Sequence, residues 1–211
     1  MKVLVAGANG KTGRQIVRLL AERGHEVRSM VRDEAQVPGQ RDLGAEPVLA
    51  DLEGEVRHTA EGCDAVIFAA GGGPGSGAAK KETVDRGGAE KLVEAAEAHG
   101  VRRYLMLSSQ GVQAPEEGPE KMQPYLSAKA RADERLLQSS LDYTIIRPGS
   151  LTNDPGTGHV TVNTELGERG EVSREDVALT FAVALDLPNT YHKTFELFSG
   201  ETPVERALAS I

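Results

Sequence analysis

The sequence predicts an α/β protein with a doubly wound, mostly parallel sheet that is covered by helices on both faces. Apolar segments of strand length alternate with segments of helical periodicity along the chain, an order typical of parallel βαβ units. The segment 64–70 is an almost continuous apolar run, which is typical of a strand buried on both faces. We expect a single domain over residues 1–211, with small substrate-side loops and C-terminal elements from about residue 148 onward.

The elements follow one another in a regular order. A first strand at Lys2–Ala6 leads through a turn into an amphipathic helix, and Gly24 is expected just beyond the end of that helix. Further strands are predicted at 25–32, 47–50, 64–70, 103–109, 142–147 and 194–198. Helices are predicted at 79–99, 120–139 and 174–185, with a loop at 148–158 and a short helix after the last strand.

A glycine-rich turn, Gly7-Ala8-Asn9-Gly10-Lys11-Thr12-Gly13, joins the first strand to the first helix. Gly7 allows a sharp turn off the strand, Gly10 leaves the backbone open to a pyrophosphate, and Gly13 lets the helix lie close to the sheet. Unpaired N–H groups at the start of the helix would face the phosphates. The position of the turn between a strand and a helix therefore favours a dinucleotide-binding Rossmann fold over an ordinary tight turn. The expected contacts are Gly7, Asn9, Gly10, Lys11, Thr12 and Gly13, although Lys11 could equally be a solvated residue.

Composition restricts the class of protein. The formal net charge is -8, which argues against a nucleic-acid partner or an anionic membrane surface. The single cysteine, Cys63, excludes an internal disulfide and is expected to be a small buried or edge residue in a reducing cytoplasm. No secretory signal or membrane-spanning run is visible, and the five histidines lack metal-ligand spacing, so we predict no metal site.

Two positions are candidates for binding the adenosine half of a dinucleotide. Arg32 ends the second strand, directly after its last apolar residue Val31, where a guanidinium would match a ribose 2′-phosphate, so NADP is preferred over NAD. Asp33 keeps NAD open, because a shift of one residue would place a carboxylate at the ribose. After the third strand, Asp51-Leu52 could offer an acceptor to the adenine amino group, or Asp51 could cap a short helix.

Tyr125 and Lys129 lie one helical turn apart on the same face of the helix that follows the fifth strand. A nearby cation favours the phenolate, so Lys129 is expected to lower the pKa of Tyr125 and ease proton exchange. Ser108 and Ser109, at the end of the fifth strand, are candidates to hold a substrate oxygen. The tyrosine–lysine spacing alone is common on helix surfaces, and its significance comes from its place in the fold.

Taken together, the chain resembles an atypical member of the short-chain dehydrogenase/reductase superfamily, in its NAD(P)-binding, epimerase-like subgroup. The resemblance rests on motifs in family order over nearly the full length: the glycine turn, Asp51-Leu52, Ala69-Ala70-Gly71, Asp85 with Gly88, Leu107-Ser108-Ser109, Tyr125 with Lys129, 143–149, and 174–178.

This resemblance implies roles for individual residues. Tyr125 would be the general acid/base, and Lys129 would bind the nicotinamide ribose and depress the tyrosine pKa. The cofactor would be lined by Ala69, Ala70 and Gly71, with Pro148 and Gly149 beside the nicotinamide.

The chain departs from this pattern in two respects. Gln110 stands where the family's epimerases carry a catalytic Ser or Thr, so Ser109 or Gln110 itself could take that role, or catalysis could be slow. The chain is also short after the sixth strand, and the substrate pocket is expected from residues 71–80, 110–124 and 149–164. Of these, 156–158 could mimic a phosphate-binding turn, but a plain loop is favoured.

The sequence therefore predicts a cytoplasmic, NADP-preferring oxidoreductase, a monomer or homodimer, that transfers hydride to or from a small carbonyl or activated double bond. Two alternatives stay open. One is an epimerase or dehydratase that oxidises its substrate transiently with NAD(P). The other is a redox sensor that binds NADP without chemistry, as NmrA-like proteins are thought to do; Gln110 favours it, and Tyr125 with Lys129 oppose it.

Overall fold

The computed structural model describes residues 1–71, 77–165, 167 and 169–211. In this part of the chain, nine strands form one sheet in the order β11-β8-β10-β6-β5-β4-β1-β2-β3. The strands of the sheet are β1 (Lys2–Ala6), β2 (Glu26–Val31), β3 (Glu46–Leu49), β4 (Ala65–Phe68), β5 (Arg103–Leu107), β6 (Asp142–Pro148), β8 (His159–Asn163), β10 (Lys193–Ser199) and β11 (Thr202–Pro203). Seven neighbouring strands of this sheet pair in parallel, which confirms the doubly wound fold: β10, β6, β5, β4, β1, β2 and β3. The strands β8 and β11 extend the edge beyond β10 and pair antiparallel.

Helices cover both faces of the sheet. They are α1 (Lys11–Glu22), α2 (Val37–Arg41), α3 (Ala78–Lys80), a π-helix (Lys81–Gly88), α4 (Ala89–Ala98), α5 (Gln123–Leu137), α6 (Arg174–Ala184) and α7 (Val204–Ala209). Buried side chains of α1 and α6 form one core cluster, while those of α4 and α5 form a second cluster. The alternating side chains of the central strands contribute to both clusters, as a sheet buried on both faces requires.

The end of the chain differs from the prediction. The segment 148–158, predicted as a loop, contains β7 (Ser150–Thr152), which pairs in parallel with β9 (Glu171–Ser173) in a separate two-stranded sheet. These strands are three residues long, and each residue of β7 pairs with one 21 positions further along the chain, so no local pattern predicts them. The helix predicted at 79–99 also consists of three joined pieces, with the π-helix Lys81–Gly88 in its first half.

The glycine turn lies against the residues that follow β4 on one side and against α1 on the other. Gly7 has φ +79°, and a Cβ on it would lie 2.6 Å from the Cα of Ala70. A Cβ on Gly13 would lie 2.1 Å from the carbonyl oxygen of Gly7, in the backbone of the same turn. Both positions therefore require glycine, because each neighbour is backbone that cannot move aside.

We expect the substitution Gly13→Ala to lower the free energy of unfolding by about 2–3 kcal/mol, because the added methyl overlaps the Gly7 carbonyl. Urea unfolding measures the change. Gly77→Ala is the matched control, since a Cβ there meets no atom within 4 Å and Gly77 has a negative φ. Equal stability of the two variants would contradict the close approach of α1 to the turn.

Candidate functional site

The carboxyl ends of β1 and β4 lie side by side where the strand order reverses, which is the position of ligand crevices in open parallel sheets. The start of α1 faces this edge. Gly10 precedes the helix in an extended conformation, no side chain caps its first N–H groups, and its first turn holds no acidic residue. Lys11 is exposed there, while Thr12 and Gly13 are buried. An uncapped helix start beside a cradle that any Cβ would fill fits a dinucleotide diphosphate.

The structure distinguishes Arg32 from Asp33, the two residues after β2 that could contact the adenosine ribose. Arg32 is exposed directly after the strand. Asp33 is used locally, because its carboxylate accepts a hydrogen bond from the Ala35 N–H at 2.8 Å and caps the 3-10 helix Glu34–Gln36. Of the two residues, Arg32 is thus the one whose side chain is left on the rim for a ligand.

Asp51 and Leu52 follow β3 on the same side of the sheet. The Asp51 carboxylate accepts a hydrogen bond from the Glu53 N–H at 2.9 Å, which forms a turn where a helix cap was the alternative. Leu52 is buried, and a Cβ on Gly88 would lie 2.9 Å from the Cβ of Leu52. Leu52 therefore packs the π-helix against this rim.

Ala69, Ala70 and Gly71 continue the chain beyond β4 and pass directly over Gly7. A Cβ on Gly71 would lie 2.9 Å from Oδ1 of Asp85, a fully buried residue of the π-helix. The segment 71–80, predicted to line the substrate pocket, includes residues 72–76, which lie outside the described residues.

Tyr125 occupies the first turn of α5, half-buried at the same edge of the sheet. The pKa of Tyr125 is raised to about 12, because burial and the negative charge of Asp85 favour the neutral phenol, whereas a hydrogen bond with Ser109 lowers the pKa. The Lys81 ammonium lies 5.1 Å from the centre of the Tyr125 ring. The expectation that Lys129 lowers this pKa is wrong for this structure.

The reason is the position of Lys129, which is 2% exposed. Its Nζ donates hydrogen bonds to the carbonyl oxygens of Leu107 at 2.8 Å and Ala70 at 3.2 Å, and lies 4.0 Å from Asp85 Oδ1. Burial lowers the pKa of Lys129, and the charges of Asp85 and Asp133 oppose that shift. The cation is thus compensated inside the protein and joins the ends of β4 and β5.

One further turn along α5, Asp133 forms a buried cluster with Ser108 and Arg147. Its Oδ2 accepts hydrogen bonds from the Ser108 hydroxyl at 2.7 Å and from Nε of Arg147 at 3.0 Å. Burial raises the pKa of Asp133, while Arg147 opposes that rise. Since the Ser108 hydroxyl is committed to Asp133, Ser109 is the serine hydroxyl that stands beside Tyr125.

The loops on the substrate side carry the remaining predicted residues. Pro148 ends β6, and its carbonyl accepts a hydrogen bond from the Gln110 N–H at 3.0 Å. Gly149 is buried, and a Cβ on it would lie 2.2 Å from the Gly170 carbonyl oxygen. In the loop 156–158, backbone N–H groups donate to the carboxylates of Glu175 and Asp176, so the loop holds internal anions.

Two groups at this edge were not predicted from the sequence, Asp133 and Lys81. Asp133 carried a usable signal, because it lies four residues after Lys129 and eight after Tyr125 on one side of a helix. Lys81 carried none, since its contact with Tyr125 depends on how the π-helix packs against α5. Among the described residues, no group of three or more His, Cys, Asp or Glu side chains is arranged to hold a metal ion. None of the described helices combines the length and apolarity that a membrane crossing requires.

Comparisons with known proteins agree with this geometry. The profile of a family described as NAD(P)H-binding matches residues 7–188. The chain belongs to this NAD(P)H-binding family. An uncharacterized sugar epimerase of Bacillus subtilis is 45% identical over 215 residues, covering 100% of both chains.

Two solved structures resemble this NAD(P)H-binding chain closely. One, described as an NAD-dependent epimerase/dehydratase from Bacillus halodurans, has a TM-score of 0.97 at 45% identity and covers 100% of both chains. The other, described as an oxidoreductase from Lactococcus lactis, has a TM-score of 0.88 at 30% identity and covers 100% of this chain and 96% of its own. The resemblance stated from the sequence is confirmed.

We expect Asp133→Ala to lower the free energy of unfolding by about 3–5 kcal/mol, because it leaves the buried Arg147 guanidinium without its carboxylate. Chemical denaturation measures the change. The control is Asp142→Ala, which removes a carboxylate that pairs with the exposed Arg102, at an expected cost of about 1 kcal/mol or less. A loss for Asp133→Ala as small as that of the control would show that Arg147 does not depend on Asp133.

Proposed function

We propose that this NAD(P)H-binding chain is an NADP-preferring oxidoreductase in which Tyr125 is the general acid/base. The observation that carries the proposal is the phenol of Tyr125, half-buried beside Ser109 at the sheet edge that the glycine turn also faces. When bound, the reduced nicotinamide supplies a hydride to a carbonyl carbon or an activated double bond. Tyr125 delivers the proton that completes the reduction.

Tyr125 carries its proton at neutral pH, as the reductive direction requires. A phenol with a pKa of about 12 stays protonated at neutral pH, so it is a proton donor before the substrate arrives. The Ser109 hydroxyl would share the substrate oxygen, in place of the family Ser or Thr that Gln110 replaces. Lys129 would be a positioning residue. Its hydrogen bonds to the carbonyl oxygens of Ala70 and Leu107 would hold the ends of β4 and β5 in place.

The cofactor would lie across the crevice between β1 and β4. Its diphosphate would be held by the start of α1, with contacts from Gly7, Asn9, Gly10, Lys11, Thr12 and Gly13. Asp51 and Leu52 would line the adenine, Ala69 to Gly71 the middle of the dinucleotide, and Pro148 with Gly149 the nicotinamide. Arg32 would recognise the 2′-phosphate, because Asp33 already caps a 3-10 helix.

A second candidate is an NAD(P)-dependent epimerase, a function carried in the name of the Bacillus subtilis relative. The two candidates differ in cofactor balance, since an epimerase leaves the amount of NADPH unchanged over a complete reaction. Absorbance of NADPH during incubation with carbonyl and quinone acceptors separates them. Net oxidation of NADPH supports the oxidoreductase, and conversion of a sugar substrate at constant NADPH supports the epimerase.

We expect Tyr125→Phe to lower kcat by about 10²–10⁴-fold, because only the proton donor is lost. Binding of NADPH, measured by calorimetry, should change by no more than about twofold for the same reason. Tyr143→Phe is the control, since Tyr143 lies in β6 with its ring against His192. Full activity of Tyr125→Phe would remove the phenol from the mechanism, whatever the cofactor affinity.

We expect Arg32→Ala to weaken NADP binding by about 10- to 100-fold and NAD binding hardly at all, because only NADP carries the 2′-phosphate. Calorimetric titration with each dinucleotide measures both affinities. Arg206→Ala, which removes an exposed cation of α7, is the charge-matched control. Equal losses for NADP and NAD would exclude Arg32 from the adenosine site.

A further inference from the structure

Arg14 is a half-buried cation of α1 that lies near the rim formed by the glycine turn and the segment after β2, where the adenosine half of the dinucleotide would bind. It lies in the first turn of α1, and its Nη1 is 3.4 Å from Oδ1 of Asn9 in the glycine turn. The same nitrogen would be 3.1 Å from a Cβ on Gly39 in α2. The guanidinium therefore lies between the glycine turn and the segment that follows β2.

That segment is fixed to the glycine turn on its other side as well. Gln40, fully buried next to Gly39, donates a hydrogen bond from Nε2 to the Ala8 carbonyl oxygen at 3.2 Å. The backbone N–H of Arg32 donates to Oε1 of Gln36 at 3.3 Å, so Arg32 starts the same short segment. Arg14 and Arg32 thus flank one rim, one from the start of α1 and one from the end of β2.

The charges of Arg14 and Arg32 suit an anionic ligand. Within the described residues, neither Arg14 nor Arg32 forms a salt bridge with a carboxylate, and Asn9 offers Arg14 only a neutral oxygen. Two neighbouring cations differ in this respect, because Arg18 of α1 pairs with Glu22 and Arg23, directly after α1, pairs with Glu205. A guanidinium group that forms no salt bridge with a carboxylate can donate hydrogen bonds to a phosphate instead.

We propose that Arg14 is a second specificity-determining cation for the 2′-phosphate of NADP, acting together with Arg32. The proposal rests on the proposed NADP binding and deepens it. Asn9 holds the guanidinium by its Nη1, and the absence of a side chain at Gly39 leaves room for it. The planar fork of arginine can then donate hydrogen bonds to two phosphate oxygens, which a lysine at this position could not do in the same way.

Calorimetry with NADP, NAD, adenosine 2′,5′-bisphosphate and AMP tests the proposal without any need for turnover. We expect Arg14→Ala to weaken binding of the two 2′-phosphorylated ligands by about 10- to 100-fold and to leave NAD and AMP within about twofold. Arg14→Lys should recover only part of the loss. Gly39→Ala should give a smaller loss of the same kind, because the new methyl presses on Nη1.

The control is Arg18→Ala, which removes a cation one turn further along α1 that is paired with Glu22. It should leave the ratio of NADP to NAD affinity unchanged. If Arg14→Ala weakens all four ligands equally, or none of them, Arg14 only supports the turn through Asn9 and the proposal is overturned. If the unmodified protein binds neither dinucleotide, the proposed function itself fails, which is a different result from any of these.

Discussion

The contact of the glycine turn with the end of β4 is the constraint on which the candidate site depends. Gly7 passes over Ala70 and Gly13 rests on the Gly7 carbonyl, at distances that exclude any Cβ. Because of this contact, α1 begins directly over the carboxyl edge of the sheet, with its first N–H groups uncapped. The same approach places the chain from Ala69 to Gly71 between α1 and α5, and so brings the two halves of the candidate site together.

The net charge of the whole chain does not describe the local charges around the glycine turn. The chain carries a formal charge of -8, and carboxylates pair with cations over much of the described surface. Around the glycine turn, Lys11, Arg14 and Arg32 form no salt bridge with a described carboxylate, and the first turn of α1 holds no acidic residue. These three cations are therefore available to an anionic ligand, although the chain as a whole is acidic.

The sequence predicted those elements whose pattern is local. A strand such as β4 is announced by its apolar run, and α1 by a glycine turn followed by helical periodicity, so both were found within a few residues. The short strands β7 and β9 were missed because each is stabilised by a distant partner. The spacing of Tyr125 and Lys129 predicted their shared face correctly. The spacing could not predict how deeply the two side chains are buried, and it is this burial that raises the pKa of Tyr125 and encloses Lys129 in the protein.

The buried charges of Lys129 and Asp133 position α5 relative to the elements around it. Lys129 is held by Asp85 of the π-helix and by two strand-end carbonyls, while Asp133 is held by Arg147 of β6. Such buried pairs add little net stability, because desolvation offsets their attraction, but each is satisfied in only one arrangement. Two of them, one turn apart and bound to different elements, fix the rotation of α5 about its axis. The hydroxyl of Tyr125, one turn above, is thereby held beside Ser109, and the π-helix contributes to the site by carrying Asp85 to Lys129.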